Sequence, residues 1–419
     1  MNDKAEVRSA GGIFLLEWKG KHLGIRVDRL YEDSHYNVTG EVRIESTAPG
    51  VNGHVHQARL NLTSTSSRKT LAKALDEIET LPGVEWGRII EELCVTVLHL
   101  HRLGEPPTRL DAVQPRVSLK YQVEPLVLAK QPNLWFGDGG STKSLLAAYV
   151  GLLVQEGHSQ NGLVTEPGKV LYLDWEDSVY ELKDRVTALR RGLGLETDTD
   201  ALMYRRCAHG LATDLETIHH IVMDNHITMV IVDSAAYACG GDPLKAEFPI
   251  AYFNALRALD VTSLTIAHQP KELRDNKMPF GSVFWFNGPR NIYQLRKTED
   301  MDSDVVQTGF FHVKTNIGKK RSPVGYEITF DNTSENNLHS VSVHRTDIKK
   351  VPDLAKGLPL KQQIIGLLSE GSMEVDEIAS AIDANKDSVQ TILYRHKKEF
   401  AKQPNGAWGL PYDEAQLPF

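Results

Sequence analysis

The chain has 419 residues, of which 41% are hydrophobic and 24% charged, with a formal net charge of −8 and a sequence pI near 6.1. That length suggests roughly two to four domains, and the acidic balance excludes a surface that coats nucleic acid throughout while leaving room for a local basic channel. Cys94, Cys207 and Cys239 are far apart and form no CxxC pair, which argues against a disulfide framework or a zinc site and makes a reducing, cytoplasmic setting the expectation.

The opening MNDKAEVRSAGG is polar and lacks the apolar core of a signal peptide. The longest apolar runs, such as Ser144 to Val154, fall short of the roughly 20 residues a membrane span needs, so a soluble chain with no membrane partner is expected. Residues 11 to about 64 alternate apolar and polar side chains in GIFLLEW, HLGIRVDRL, YNVTGEVRIEST and HVHQARLNLTST. This predicts a small antiparallel sheet, with turns at Gly20, Gly40, Pro49-Gly50 and Asn52-Gly53. Ser67 to Leu81 reads as an amphipathic helix capped around Ser66, and a second helix covers about Glu85 to Leu103. Residues 1–104 therefore make an α+β domain without a chemical motif. Gly104-Glu-Pro-Pro-Thr breaks regular structure and predicts a linker.

Over residues 117–345 the pattern changes. Buried strands (LWFGD, VLYLDWED, MVIVDSA, TSLTIAHQ, NIYQLRK, FFHVKT) alternate with helical stretches. This is the α/β pattern of a mostly parallel sheet with helices on both faces. KKVPDLAKG then reads as a basic linker. Over residues 357–412, three helices (Leu360 to Leu368, Val375 to Ile382, Lys386 to Lys397) precede a hairpin turning at Pro404-Asn405-Gly406. Asn385 is placed to cap the third helix. Three helices and a hairpin predict a winged helix-turn-helix.

The strongest motif is GDGGSTKS, which is Gly137, Asp138, Gly139, Gly140, Ser141, Thr142, Lys143 and Ser144. It stands between an apolar strand and an apolar helical stretch, as a P-loop requires. Its backbone N–H groups and the helix terminus suit the phosphates of ATP. Lys143 would neutralise the β- and γ-phosphates, and Ser144 would hold Mg²⁺. Thr142 stands where the motif usually has glycine. It is tolerated if the backbone there is near helical φ, and its branched side chain would lie close to the phosphates.

The run VLYLDWEDS ends in Asp174, Glu176 and Asp177, at the carboxyl end of a strand where α/β sheets bind ligands. Glu176 is the candidate for polarising the attacking water, with Asp174 and Asp177 as competitors. MVIVDSAAYACGGD ends four apolar residues in Asp233, placed to hold Mg²⁺, with Ser234 beside it. LTIAHQPKE puts His268 and Gln269, followed by Lys271, where a γ-phosphate can be sensed. In PFGSVFWFNGPRNIYQLRK, Arg290 and Arg296 are expected near the far edge of the sheet, where an arginine can reach a neighbouring subunit's ATP. Trp285 and Phe286 read as core or as interface anchors.

Taken in order, these motifs resemble the RecA-like ATPases of the RepA-type hexameric replicative helicase group over residues 120 to 330. The resemblance implies that Glu176 of the Glu-Asp pair is the catalytic base. It also implies a phosphate-contacting Lys143 and Ser144, a magnesium-binding Asp233, a histidine at His268, and an arginine finger at Arg290 or Arg296. It implies a homo-oligomer, usually a hexameric ring, that moves DNA. The N-terminal unit lies outside it.

Two basic stretches are candidates for DNA contact. Lys314, Lys319, Lys320 and Arg321 surround a turn between two strand-like pieces, and could track phosphates in a ring pore. The third C-terminal helix presents Lys386, Gln390, Tyr394, Arg395, Lys397 and Lys398 in the manner of a recognition helix, with Lys349, Lys350 and Lys356 upstream. The leading expectation is an ATP-dependent DNA helicase or translocase. The rivals are an ATP-switched DNA-binding regulator or loader, and a nucleotide-binding scaffold without turnover.

Overall fold

The structure is a computed structural model. It describes residues 4–411 apart from 11, 50, 52, 79–80, 82, 105–107, 116–117, 198–201, 271–277, 300–302 and 334–337. The chain divides into two compact units after Ser118.

The first unit is a five-stranded antiparallel sheet in sequential order: β1 (Glu6–Ala10), β2 (Ile13–Trp18), β3 (Leu23–Glu32), β4 (Val38–Ser46) and β5 (His54–Asn61). Helices α1 (Thr65–Asp76) and α2 (Trp86–Leu103) cover one face. Leu71, Leu75, Ile89, Ile90 and Leu93 of the helices join Leu16, Ile25, Val42 and Ile44 of the strands in one core. Period-two alternation in the strands and 3.6-residue spacing in the helices put these side chains on facing surfaces. Three expectations change. β1 was not foreseen. Gly40 lies inside β4 rather than in a turn, where glycine leaves room for the Leu30 side chain, since a Cβ there would come within 2.6 Å of it. The turn is instead Asp33 to Asn37, closed by Asp33 Oδ1 accepting from the backbone N–H of His35 and Asn37. α1 starts earlier than predicted because Ser64, not Ser66, caps it by accepting from the Ser67 N–H at 3.2 Å.

The second unit begins with β6 (Tyr121–Glu124), β7 (Val127–Leu128), β8 (Pro132–Gly137), α3 (Lys143–Glu156), β9 (Val164–Thr165), β10 (Lys169–Asp174) and α4 (Val179–Gly192). Next come β11 (Met203–Arg206), α5 (Leu215–Asp224), β12 (Ile227–Asp233), α6 (Ala235–Ala238), α7 (Glu247–Ala258), β13 (Thr262–His268) and α8 (Phe284–Asn287). β14 (Asn291–Glu299), β15 (Val305–Thr315), β16 (Val324–Asn332) and β17 (Leu338–Thr346) complete a nine-stranded sheet ordered β11-β10-β12-β13-β8-β14-β15-β16-β17. From β11 to β14 all neighbours are parallel, and β15 to β17 are antiparallel. Separate apolar cores lie on the two faces. The sheet is therefore mostly parallel and covered by helices, as expected. Every residue of β8 is buried, as a central strand between two helical layers must be.

The sheet's far edge differs from the expectation. β16 and β17 continue it, so β14, which follows Arg290 and contains Arg296, is interior. Tyr326 and Ile328 in β16 and Val341 and Val343 in β17 are buried at alternate positions. The same alternation is present in the sequence, but the cation-rich turn before it interrupts the pattern.

The expected basic linker is folded. It forms a 3₁₀ turn and α9 (Pro352–Ala355), with Ile348, Val351, Leu354 and Leu358 buried around Phe311. Lys349, Lys350 and Lys356 are exposed. Beyond it stand α10 (Leu360–Leu368), α11 (Val375–Ala381), α12 (Lys386–Arg395) and the hairpin β18 (Ala401–Lys402) and β19 (Trp408–Gly409). They share a core of Ile364, Ile378, Val389, Leu393, Phe400 and Trp408. Asn385 caps α12 as predicted, accepting from the Asp387 and Ser388 N–H groups. α12 stops at Arg395, which leaves Lys397 in the following turn. The helices of 357–411 belong to the same compact unit as the sheet. The apolar staple around Phe311 is the physical reason.

Candidate nucleotide site

β8 delivers the glycine-rich loop to the amino end of α3. Gly137 is required by close approach: a Cβ there would lie 2.4 Å from the Leu295 carbonyl. Gly140 and Thr142 both have left-handed backbone, with φ of 69° and 60°. The condition of near-helical φ at Thr142 is therefore not met. The loop demands a conformation that favours glycine and costs an L-residue roughly 1–2 kcal/mol. Two contacts offset that cost: the Thr142 hydroxyl donates to the Ser141 carbonyl at 2.6 Å and lies 2.9 Å from the Thr308 hydroxyl.

Lys143 is buried, and its ammonium donates to the carbonyls of Gly137 and Asp138 and to Ser141 Oγ. Burial pulls its pKa down to about 8, against the opposing pull of Asp233, Asp138 and Glu176. Asp233 ends β12 and is also buried. Burial raises its pKa despite hydrogen bonds from the Ser144 and Tyr172 hydroxyls, the latter at 2.6 Å. The Ser144–Asp233 pair is a set of hard oxygen donors of the kind Mg²⁺ prefers.

The three competing carboxylates separate by role. Asp174 Oδ1 accepts from the backbone N–H groups of Glu176 and Asp177, at 2.9 and 3.0 Å, and so shapes its own loop. Asp177 pairs with Arg185 at 2.7 Å. Glu176 accepts a hydrogen bond from the Ser234 hydroxyl and is left facing the cavity. That cavity, of about 400 Å³, is lined by Gly140 to Leu145, Glu176, Asp233 and His268, with Phe330 and Leu338 on an apolar side. His268 ends β13, and burial, then Lys143, lowers its pKa.

Gly137, Asp138 and Gly139 belong to the loop but not to the cavity wall. Asp138 accepts from Gln269 Nε2 at 2.6 Å. Arg290 is exposed just before β14, its N–H bonded to the Pro132 carbonyl at the opposite end of the sheet from the loop. Trp285 is core, packed on Tyr252 and Phe253, while Phe286 is half-buried. Lys271 lies outside the described residues. Sequence reasoning missed Arg185, Tyr172, Phe330 and Leu338. They sit within a helix and three strands, and no motif spacing marks them.

The basic stretches are placed apart from this cavity. Lys314 donates to the carbonyls of Phe286, Asn287 and Pro289, and so ties β15 to the end of α8. Lys319 and Lys320 are exposed, and Arg321 pairs with Glu124 at 3.0 Å. On α12, Lys386 pairs with Asp376, Arg395 is exposed, and Lys397 lies 5.9 Å from the Tyr394 ring. No helix among the described residues is long and apolar enough to cross a membrane.

Residues 100–273 match a family model described as AAA domain. Together with the loop, this supports a P-loop ATPase domain in the second unit. A crystal structure of a KaiC-like protein from the hyperthermophilic archaeon Pyrococcus horikoshii OT3 is similar at 14% identity and a TM-score of 0.37, over 53% of this chain and 93% of that one. No curated protein sequence matches the chain.

Proposed function

We propose that the chain is an ATP-dependent motor on DNA, a helicase or translocase that works as a homo-oligomer, with a hexameric ring as the form the resemblance implies. The observation that carries this reading is one cavity bringing together the phosphate loop, Glu176, Asp233 and His268. Lys143 binds the β- and γ-phosphates. Glu176 orients a water and takes its proton as the water attacks the γ-phosphorus. The bond to the β–γ bridging oxygen breaks and ADP leaves. His268 contacts the γ-phosphate. Ser144 and Asp233 would hold Mg²⁺, which when bound supplies charge neutralisation on the phosphate oxygens. Arg290 or Arg296 acts across a subunit boundary as the finger. Lys319, Lys320 and Arg321, and the α12 face with Lys386, Arg395 and Lys397, supply phosphate contacts to DNA. The C-terminal helices and hairpin act as a winged helix.

The test is ATP hydrolysis with and without single-stranded DNA, beside Glu176→Ala. The expected result is strand-stimulated turnover that drops about a hundredfold or more in the variant while nucleotide still binds. Turnover that is unchanged in Glu176→Ala removes the base from this reading. A second reading, an ATP-switched DNA-binding regulator or loader, is favoured by Thr142, whose left-handed backbone strains the loop and suits slow turnover. Tight nucleotide binding with no turnover would favour it over the motor.

A further inference from the structure

A second cavity, of about 330 Å³, opens beside the basic turn between β15 and β16. Arg296 and Phe311 contribute to one wall, Lys320 and Arg321 to another, and Gly357 and Gln362 to a third that leads into the C-terminal helices. The Arg296 guanidinium lies 5.3 Å from the Phe311 ring centre. Gly357 closes tightly over both: a Cβ there would meet the Phe311 ring at 2.8 Å and Arg296 Nη1 at 3.1 Å. His312 also lines the space. Its Nδ1 accepts from the Arg321 backbone N–H at 2.7 Å, so Nε2 carries the proton, buried on a ring that stacks on Tyr293 at 4.4 Å. Burial pushes the His312 pKa down to about 4, so the ring is a neutral donor. The only carboxylate that pairs with these cations among the described residues is Glu124, on Arg321. The wall is therefore rich in donors and net positive, the chemistry that receives a phosphate oxygen.

This cavity is tied to the phosphate loop by side chains alone. Arg296 Nε and Nη2 donate to Gln294 Oε1 at 3.3 and 3.2 Å. Gln294 Nε2 donates to Gln269 Oε1 at 3.0 Å. Gln269 Nε2 donates to Asp138 Oδ1 at 2.6 Å. All three links point the same way, and both glutamines are buried, Gln294 to 1% exposure and Gln269 to 8%. Aligned hydrogen bonds in a low-dielectric interior polarise one another, and an unmet amide there is costly. A shift of Arg296 is therefore felt at Gln294, then at Gln269, then in the loop at Asp138.

We propose that this cavity binds a backbone phosphate of single-stranded nucleic acid, and that the Arg296–Gln294–Gln269–Asp138 chain carries its occupancy to the phosphate loop. An anion held by Lys320 draws the guanidinium towards the cavity and away from Gln294. The inference deepens the motor reading and rests on it, because it names the residues through which a strand would stimulate turnover. A strand rather than a free anion is favoured by exposed Lys319 and Lys320, which continue the positive track outward from the cavity.

The experiment uses the full chain and a fluorescein-labelled oligo-dT. Lys320→Glu is expected to weaken oligonucleotide binding about tenfold or more at moderate salt. Gln294→Leu is expected to leave binding within about twofold, because Gln294 is only 1% exposed and its amide donates to Gln269, while strand stimulation of ATP turnover disappears. Gln269→Asn shortens the same chain and serves if Gln294→Leu does not fold; it too should lose stimulation. Oligonucleotide binding that is unchanged in Lys320→Glu overturns the site. Stimulation that survives both glutamine variants overturns the transmission and leaves the motor reading standing. ATP turnover that depends on Lys143 but never responds to DNA overturns the motor reading and this inference together. Inorganic phosphate is the second probe: thermal stabilisation by phosphate that is lost in Lys320→Glu, with no oligonucleotide binding, assigns the cavity to a free anion and overturns the strand.

Discussion

The parallel and antiparallel halves of the nine-stranded sheet handle chemistry in opposite ways. In the parallel half, β8, β10, β12 and β13 all end on the same side. Loop residues and carboxylates that follow these strands therefore meet, although Lys143, Glu176, Asp233 and His268 are widely spaced in sequence. In the antiparallel half, β15 and β16 run in opposite directions. Their cations gather at the turn between them, away from the nucleotide cavity. Parallel pairing collects strand ends into one site, whereas antiparallel pairing separates them. The halves meet twice: Phe330 and Leu338 of the antiparallel half line an apolar side of the nucleotide cavity, and a buried chain of amides joins Arg296 to the phosphate loop.

The largest test of this contrast is Lys143→Ala. It removes the loop's ammonium and leaves the antiparallel half untouched. ATP turnover should fall about a hundredfold to a thousandfold, with little change in DNA binding measured by fluorescence anisotropy. Comparable loss of both would show that the halves are not separable.

Next in size is pH. Lys143 has a folded pKa of about 8, lowered by burial, and an unfolded value near the ordinary 10.5. Between these the folded chain has released a proton that the unfolded chain retains. The group therefore adds stability as pH rises through this window. Phosphate binding has the opposite sign, because it needs the ammonium. The dissociation constant for ATP should rise several-fold from pH 7.5 to pH 9, and titration by nucleotide fluorescence checks it. A flat profile over that range would show that Lys143 is not the phosphate contact.

A smaller effect, confined to the antiparallel side, is expected for Lys314→Met. It keeps the apolar stem but leaves three carbonyls without their shared donor. Stability should drop by about 1–3 kcal/mol, seen in urea unfolding, while ATP affinity stays within about twofold. The smallest effect belongs to Thr142→Gly. Relief of roughly 1–2 kcal/mol of left-handed strain is opposed by the lost Thr308 contact and by the extra freedom of unfolded glycine. Stability should move by less than about 1 kcal/mol, and ATP affinity should improve about threefold. A large loss of affinity would instead assign the Thr142 hydroxyl to nucleotide binding.

Much of the site was legible in the sequence because each part is local. An apolar strand followed by GDGGSTKS and an apolar helical stretch announces a strand, loop and helix within a few residues of one another. The apolar runs ending in Asp174, Glu176 and Asp233 likewise announce buried strands. The sequence put Glu176 ahead of Asp174 and Asp177, but what each of the three touches was not legible. It depends on where Ser234 and Arg185 stand, and both come from other elements. The left-handed backbone at Thr142 was misjudged because φ is set by the loop's closure onto the sheet rather than by the residue. The linker reading of KKVPDLAKG failed because its charged residues hid Val351 and Leu354, which need Phe311 as a partner.

The sequence by itself determined the order of the elements, the phosphate loop and the strand ends that carry acids, because short-range periodicity and turn chemistry specify these within a few residues. Only the tertiary structure decided which side chains meet. Strand order places β8 between β13 and β14, and burial there joins Gln294, which no motif marks, to Gln269. Contacts of that kind are made across strands far apart in the chain, so no local pattern records them.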